Sequence, residues 1–143
     1  MSSRRRTVKA FLDTNIFIYA AGKEHALRKP SLKVLNLVST GEIVAITNAE
    51  VIQELFHLFI RRGRRADALT LGKTVIELSS EVLPVGRTTM IKAAALLETY
   101  PNLPARDAVH AATMIENEID LIITADKDFE VISGIRILKP QDV

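Results

Sequence analysis

Short apolar runs that alternate with longer helical patterns constrain this chain more than any other feature of its sequence. The clearest runs are residues 121–124 and Val8–Leu12, and the second stops at the turn-forming residues that follow Leu12. Each run is short for a buried helix and has the usual length of a buried strand. Strands that alternate with helices favour a parallel sheet covered on both faces. We therefore predict an α/β/α sandwich around a central parallel sheet of about four to five strands.

The other predicted elements continue this alternation. Further strands are expected at residues 43–46, 82–85 and 136–138, and Pro84 makes the second of these marginal or an edge strand. Helices are expected around residues 32–38 and over residues 65–79, 88–99 and 105–118, with a short helical turn at 127–131. Thr47 followed by Glu50 resembles a capping box, so the helix that carries Glu54 is predicted to begin there.

Length and composition indicate one globular domain. The chain has 143 residues, of which 48% are hydrophobic and 25% charged, and we predict a single domain over residues 1–143 with a basic tail at 1–7. It contains no cysteine, which excludes a disulfide framework, a thiolate zinc site and a cysteine nucleophile. Polar residues interrupt the apolar run after the N-terminal arginines, and no stretch is long enough to span a membrane. We expect a cytoplasmic protein.

Three of four candidate acidic residues lie where such a sheet binds its ligands. Asp13 and Asp126 follow predicted strands and Asp107 lies near the start of a helix, which places all three at the carboxyl edge of the sheet. Glu54 lies on or beside the apolar stripe of its helix, where a carboxylate needs a partner such as a cation. Hard cations such as Mg²⁺ prefer oxygen ligands and neutralise charge on the reacting oxygens of a phosphodiester. Converging carboxylates therefore suit phosphodiester hydrolysis.

Each of the three aspartates also has a purely structural explanation. An aspartate after a strand is most often a turn former or a helix cap, and one in the first helical turn complements the helix dipole. Asp128, two residues after Asp126, is a further candidate, although the intervening turn could direct its side chain away from the others. Whether Asp128 joins the site stays open at this point.

Basic residues cluster in two places despite a net charge of only +2. Residues 4–6 are all arginine. The second cluster surrounds Gly63 and consists of Arg61, Arg62, Arg64 and Arg65. Such clusters neutralise phosphates without reading sequence, which makes the second a candidate contact for an RNA backbone. The alternative explanation is that one cluster is a solvated helix end and the other a frayed terminus.

Four motifs, taken in order, resemble those of the PIN domain family. They are Phe11-Leu12-Asp13-Thr14-Asn15, Gln53-Glu54-Leu55, Arg106-Asp107-Ala108-Val109-His110-Ala111-Ala112 and Thr124-Ala125-Asp126-Lys127-Asp128-Phe129. The likeness covers nearly the whole chain, from about residue 8 to residue 140. Within the family, the chain most resembles the small VapC-like toxins of prokaryotic toxin–antitoxin pairs.

This resemblance implies a ribonuclease that depends on Mg²⁺ or Mn²⁺. The family's acidic quartet falls on Asp13, Glu54, Asp107 and Asp126, and its usual supporting positions fall on Asn15 and Thr124. The resemblance also implies a homodimer and an antitoxin peptide that silences the toxin by entering the acidic groove.

Three other interpretations compete with a nuclease. Glu54-x-x-His57 and Asp107-x-x-His110 have the spacing of ligands in carboxylate-bridged di-iron bundles, but such bundles contain no sheet. We expect both histidines to be polar helix positions that flank or pack near the site. A phosphoacceptor domain would show adjacent acids after the first strand, and this feature is absent. The third alternative is a PIN fold without turnover that binds RNA or protein.

Overall fold

The computed structural model describes residues 7–143 and shows a parallel sheet with helices packed against it. The strands are β1 (Val8–Leu12), β2 (Ile43–Asn48), β3 (Glu81–Leu83), β4 (Leu121–Ile123) and β5 (Arg136–Leu138), and they lie in the order β3-β2-β1-β4-β5. All neighbours are parallel, and central β1 pairs Phe11 with Ile46 on one side and with Ile122 on the other. The predicted fold class is confirmed, with β3 at an edge of the sheet as Pro84 indicates.

Helices form the connections between the first four strands. They are α1 (Thr14–Ala21), α2 (Arg28–Ser39), α3 (Ala49–Arg61), α4 (Arg65–Leu78), α5 (Arg87–Thr99) and α6 (Ala105–Glu116). Single 3-10 turns follow at Asp128–Val131 and Pro140–Asp142. Within residues 7–143, none of the helices is long and apolar enough to cross a membrane.

The start of α3 corrects one sequence prediction. Thr47 does not cap the helix, because it lies in β2 and its hydroxyl pairs with the Ser79 hydroxyl at 2.9 Å. Asn48 is the N-cap, and its Oδ1 accepts the N–H of Val51 at 2.9 Å. Both residue types are good caps. The choice between them depends on how far β2 runs, and its pairing with β3 extends as far as Asn48 opposite Leu83.

The hydrophobic core lies between the sheet and its helical layers. Phe11, Leu12, Ile122 and Ile123 on the central strands are fully buried, as both faces of a covered parallel sheet require. The helices α3 and α4 approach closely at Gly72, where a Cβ would lie 2.2 Å from Cε1 of Phe56. Close packing of the two helices at this point therefore depends on glycine having no side chain.

Candidate active site

All four predicted acids line one cavity at the carboxyl edge of the sheet. The cavity has a volume of about 70 Å³, which leaves room for a cation and water. Its lining residues are Asp13, Thr14, Asn15, Ile18, Glu54, Arg106, Asp107 and Asp126. They come from the β1–α1 junction, α3, the start of α6 and the loop after β4.

Asp13 lies directly after β1 and its carboxylate is held by donors on both oxygens. Oδ1 accepts the N–H of Thr14 at 2.7 Å, which makes Asp13 the N-cap of α1. Oδ2 accepts the hydroxyl of Thr124 at 2.7 Å and the amide of Asn15 at 3.3 Å. Burial raises the pKa of Asp13, whereas His110 lowers it. The structural explanation as a helix cap is therefore correct, yet the same carboxylate also lines the cavity.

The two predicted supporting residues connect the ends of β1 and β4. Asn15 donates to the hydroxyl oxygen of Thr124 at 3.3 Å, and its own Oδ1 accepts the N–H of Ala125 at 3.3 Å. The Thr124 hydroxyl oxygen also accepts the N–H of Asp126 at 3.0 Å. This network fixes the separation between Asp13 and the loop that carries Asp126.

Asp107 is an almost fully buried acid of the cavity. It lies in the first turn of α6 with only 2% of its surface exposed, and its Oδ2 has no hydrogen-bond partner. The pKa of Asp107 is raised from 3.8 to about 8, first by burial and then by the charges of neighbouring carboxylates. Those neighbours are Asp13, Asp126 and Asp128, and Arg106 acts in the opposite direction. A buried carboxylate of this kind either holds a proton or needs a positive partner.

Asp128 joins Asp107 and Asp126, which the sequence alone left open. One carboxylate oxygen from each of the three lies within 4.8 Å of the others. The turn explains this, because the N–H of Asp128 donates to Oδ1 of Asp126 at 3.0 Å and so draws the two residues together. Burial, followed by the hydrogen bond and charge of Asp126, raises the pKa of Asp128. Asp13 and Glu54 lie outside this group of three but line the same cavity as Asp107 and Asp126, whereas Asp128 does not line it.

Glu54 lies against a fully buried histidine of α6. Its Oε1 is 3.2 Å from Nε2 of His110, which is also 3.8 Å from Oδ1 of Asp13. Nδ1 of His110 lies 3.2 Å from the amide nitrogen of Asn48. Because an amide nitrogen can only donate, Nδ1 must accept, and the ring hydrogen is on Nε2. Nε2 lies close to both carboxylates but forms a hydrogen bond with neither. His110 thus packs near the site as expected, whereas His57 is exposed.

The oxygen atoms of this cavity fit a hard divalent cation. Carboxylates dominate its polar lining, and the unpartnered Oδ2 of Asp107 lacks the positive charge that its burial calls for. Mg²⁺ and Mn²⁺ prefer oxygen ligands, and a bound cation would reverse the repulsion among the acids. The sheet, by contrast, rules out the di-iron bundle interpretation.

The arginines around Gly63 do not line the acidic cavity. All four are exposed at the junction of α3 and α4. The guanidinium groups of Arg62 and Arg64 lie 5.9 and 5.2 Å from the ring centroid of Phe59, and Nε of Arg64 is 2.8 Å from Oδ2 of Asp67. The N-terminal arginines at positions 4–6 lie outside the described residues.

Comparison with known proteins identifies a consistent set of relatives. The family model described as PIN domain matches residues 10–135. Ribonuclease VapC7 of Mycobacterium tuberculosis is 38% identical over 125 residues, which cover 87% of this chain and 86% of the relative. The crystal structure of VapBC2 from Rickettsia felis, bound to a DNA fragment from their promoter, has a TM-score of 0.72 at 15% identity and covers 92% of this chain and 98% of that one. VapC20 of Mycobacterium tuberculosis, described as a toxin that cleaves the sarcin-ricin loop, has a TM-score of 0.69 at 22% identity over 85% of this chain and 92% of that one. The two solved structures share the fold.

Proposed function

Since the chain belongs to the PIN domain family, we propose that it is a Mg²⁺- or Mn²⁺-dependent endoribonuclease and the toxin of a toxin–antitoxin pair. The observation that carries this proposal is the cavity where acids from four separate segments converge, among them Asp107 with its unpartnered Oδ2. The name of a 38% identical relative, which is a ribonuclease, supports the choice of RNA as the substrate. The proposal makes Asp13, Glu54, Asp107 and Asp126 the functional quartet.

Each acid has a role in this proposal that follows from its position. Asp13, Asp107 and Asp126 would hold the cations, with Asp128 as an additional ligand from the same cluster. Bound cations neutralise charge on the attacking and leaving oxygens and make water a stronger nucleophile. Glu54, which reaches the same cavity from α3, would hold a cation or orient the attacking water.

The neighbouring side chains keep these acids in place. Nε2 of His110 lies between two like charges, 3.2 Å from Oε1 of Glu54 and 3.8 Å from Oδ1 of Asp13. Asn15 and Thr124 hold the Asp13 carboxylate by its Oδ2. Removing a side chain that orients a metal ligand in this way usually lowers metal affinity or activity by about 10- to 100-fold.

A cleavage assay with total RNA tests the proposal. Purified protein should cleave single-stranded RNA with Mg²⁺ or Mn²⁺, stop when a chelator is added, and leave 5′-phosphate and 3′-hydroxyl ends. Asp107→Asn should abolish cleavage. Asp120→Asn is a matched control, because Asp120 is an exposed aspartate paired with Arg136 at 3.1 Å. Absence of cleavage under all conditions would favour a PIN fold that only binds RNA or protein, and cyclic-phosphate ends would indicate chemistry without a metal.

We also propose an antitoxin peptide and a second copy of the chain as partners. Support comes from the resemblance to VapC-like toxins and from a solved structure of the same fold, VapBC2 from Rickettsia felis. The product of a small reading frame beside this gene, co-expressed with the chain, should copurify with it and inhibit cleavage. Lack of such a reading frame would favour a role in RNA processing. Sedimentation of the purified chain tests the dimer.

The exposed arginines of the α3–α4 junction are proposed to bind the RNA backbone. Replacing Arg61, Arg62, Arg64 and Arg65 together with Gln should weaken binding to all RNA sequences. The slope of log affinity against log salt should decrease by up to about 0.7 for each phosphate that the substituted protein no longer binds. An unchanged slope would indicate that these residues are part of a solvated surface and do not bind RNA phosphates.

A further inference from the structure

A larger groove lies beside the acidic cavity. It has a volume of about 490 Å³ and is formed by the end of α1, the loop that follows it, and the α3–α4 junction. Ile18 lines both the groove and the acidic cavity, so the two are direct neighbours. Pockets of this size commonly hold small organic molecules. A single nucleotide is of that class.

Two stacked aromatic rings form one part of this groove. The ring centroids of Tyr19 and His25 are 4.6 Å apart and the ring planes differ by 26°. The N–H of Leu27 donates to Nδ1 of His25 at 3.0 Å, which fixes the histidine ring and leaves Nε2 available at its other edge. His25 is exposed and Tyr19 is partly exposed. Unpaired RNA bases stack on aromatic platforms of this kind.

Two arginines form another part, and both are held in place. Arg62 and Arg64 lie over the buried ring of Phe59, and Arg64 is also paired with Asp67. Lys23 adds a third positive charge to the lining, against one acid, Glu24. A guanidinium held in position binds phosphate with less loss of side-chain freedom. The other two arginines of the cluster are exposed but do not line the groove.

We propose that this groove is a nucleotide subsite that binds the RNA strand next to the cleaved bond. A base stacks on the Tyr19–His25 pair, and an adjoining phosphate binds Arg62 and Arg64. The identity of the occupant rests on the proposed ribonuclease function, because a strand whose phosphate lies on the acids can continue past Ile18 into the groove. Aromatic stacking combined with fixed arginines favours a nucleic acid over a peptide.

Binding in the absence of divalent cations separates this inference from cleavage. The probes are fluorescently labelled oligoadenylate and oligouridylate, measured by anisotropy with the full chain in chelator. Tyr19→Ala should weaken binding by about 5- to 150-fold, the range found for loss of one base stack. Tyr19→Phe, which keeps the ring, should retain affinity, and Tyr19→Leu, which keeps apolar bulk without a flat ring, should not. Circular dichroism and thermal melts establish that each variant is folded.

The arginine cluster supplies a charge-matched control. Replacing Arg62 and Arg64 with Gln should decrease the slope of log affinity against log salt by up to about 1.4, for two phosphates on single-stranded RNA. Replacing Arg61 and Arg65 with Gln removes the same charge outside the groove and should decrease the slope less. Equal slopes for the two pairs would overturn the subsite, since they would show a general electrostatic effect.

The remaining outcomes are also decisive. Unchanged affinity of Tyr19→Ala, or no measurable binding by the wild type, would overturn the inference. Retained RNA affinity together with loss of a copurifying antitoxin would assign the groove to a protein partner instead. RNA that binds with the expected dependence on Tyr19 but is never cut would contradict the proposed function and leave the subsite intact. Cleavage by a protein whose RNA affinity is unaffected by Tyr19→Ala would support the proposed function and overturn the subsite.

Discussion

Replacing Asp107 with asparagine should make the metal-free protein more stable. The substitution keeps the shape of the side chain and removes its charge from a site where three other carboxylates repel it. The folded pKa of about 8 lies above the ordinary 3.8, so the native state holds a proton that the unfolded chain has released. Stability from this group is complete below pH 3.8 and is lost as the pH rises toward 8.

The size of the effect follows from the same shift. Each pH unit between the two pKa values costs about 1.4 kcal/mol, which at pH 7 sets an upper limit of about 4 kcal/mol. The cavity opens to solvent, and screening by water and salt reduces this figure. We expect Asp107→Asn to raise the free energy of unfolding by about 1 to 3 kcal/mol at pH 7, with little difference from the wild type near pH 4.

Denaturant titrations at several pH values, with chelator or Mg²⁺, measure both parts of the prediction. The wild type should gain about 2.7 kcal/mol at one hundred times the dissociation constant of Mg²⁺, and the variant much less. Asp120→Asn is the control, because the hydrogen bond from Arg136 lowers the pKa of Asp120, whereas the pKa of Asp107 is raised. Loss of the Asp120 carboxylate should therefore not stabilise the fold. An Asp107→Asn protein that is less stable than wild type in chelator, yet gains equally from Mg²⁺, would refute a shared metal site at this residue.

Three further substitutions test the structure. Asn48→Ala removes the cap of α3 and leaves two buried partners on α6 without their donor, so the free energy of unfolding should fall by about 2 to 4 kcal/mol. Glu50→Gln should change the free energy of unfolding little, whereas a large decrease would support the capping-box interpretation. Asp128→Asn should raise the Mg²⁺ concentration for half-maximal cleavage by about tenfold or more, and Glu130→Gln should not. An equal change in this Mg²⁺ concentration for both variants would show that Asp128 is not part of the metal site. Gly72→Ala places a Cβ 2.2 Å from an aromatic carbon of α3 and should lower the denaturation midpoint, despite the better helix propensity of alanine.

Local sequence signals predicted the secondary structure well where one interpretation dominated. The residues of β1 and β5 were predicted at their observed bounds, because short apolar runs between turn formers have few alternatives. The start of α3 was predicted wrongly because two adjacent cap residues were available. Strand pairing chose Asn48, and pairing is not a local property.

The sequence by itself determined that acids would stand at the ends of strands and helices on one edge of a parallel sheet. That follows from the alternation of elements and from the positions of Asp13, Asp107 and Asp126 within it. The tertiary structure alone decided that Asp128 lies close to Asp107 and that His110 lies between Glu54 and Asp13. It also decided that Arg62 and Arg64, but not their neighbours, line the groove with Tyr19. The physical reason is that helix and strand patterns depend on residues a few positions apart. Side-chain convergence depends instead on sheet register and helix packing between residues distant in the chain.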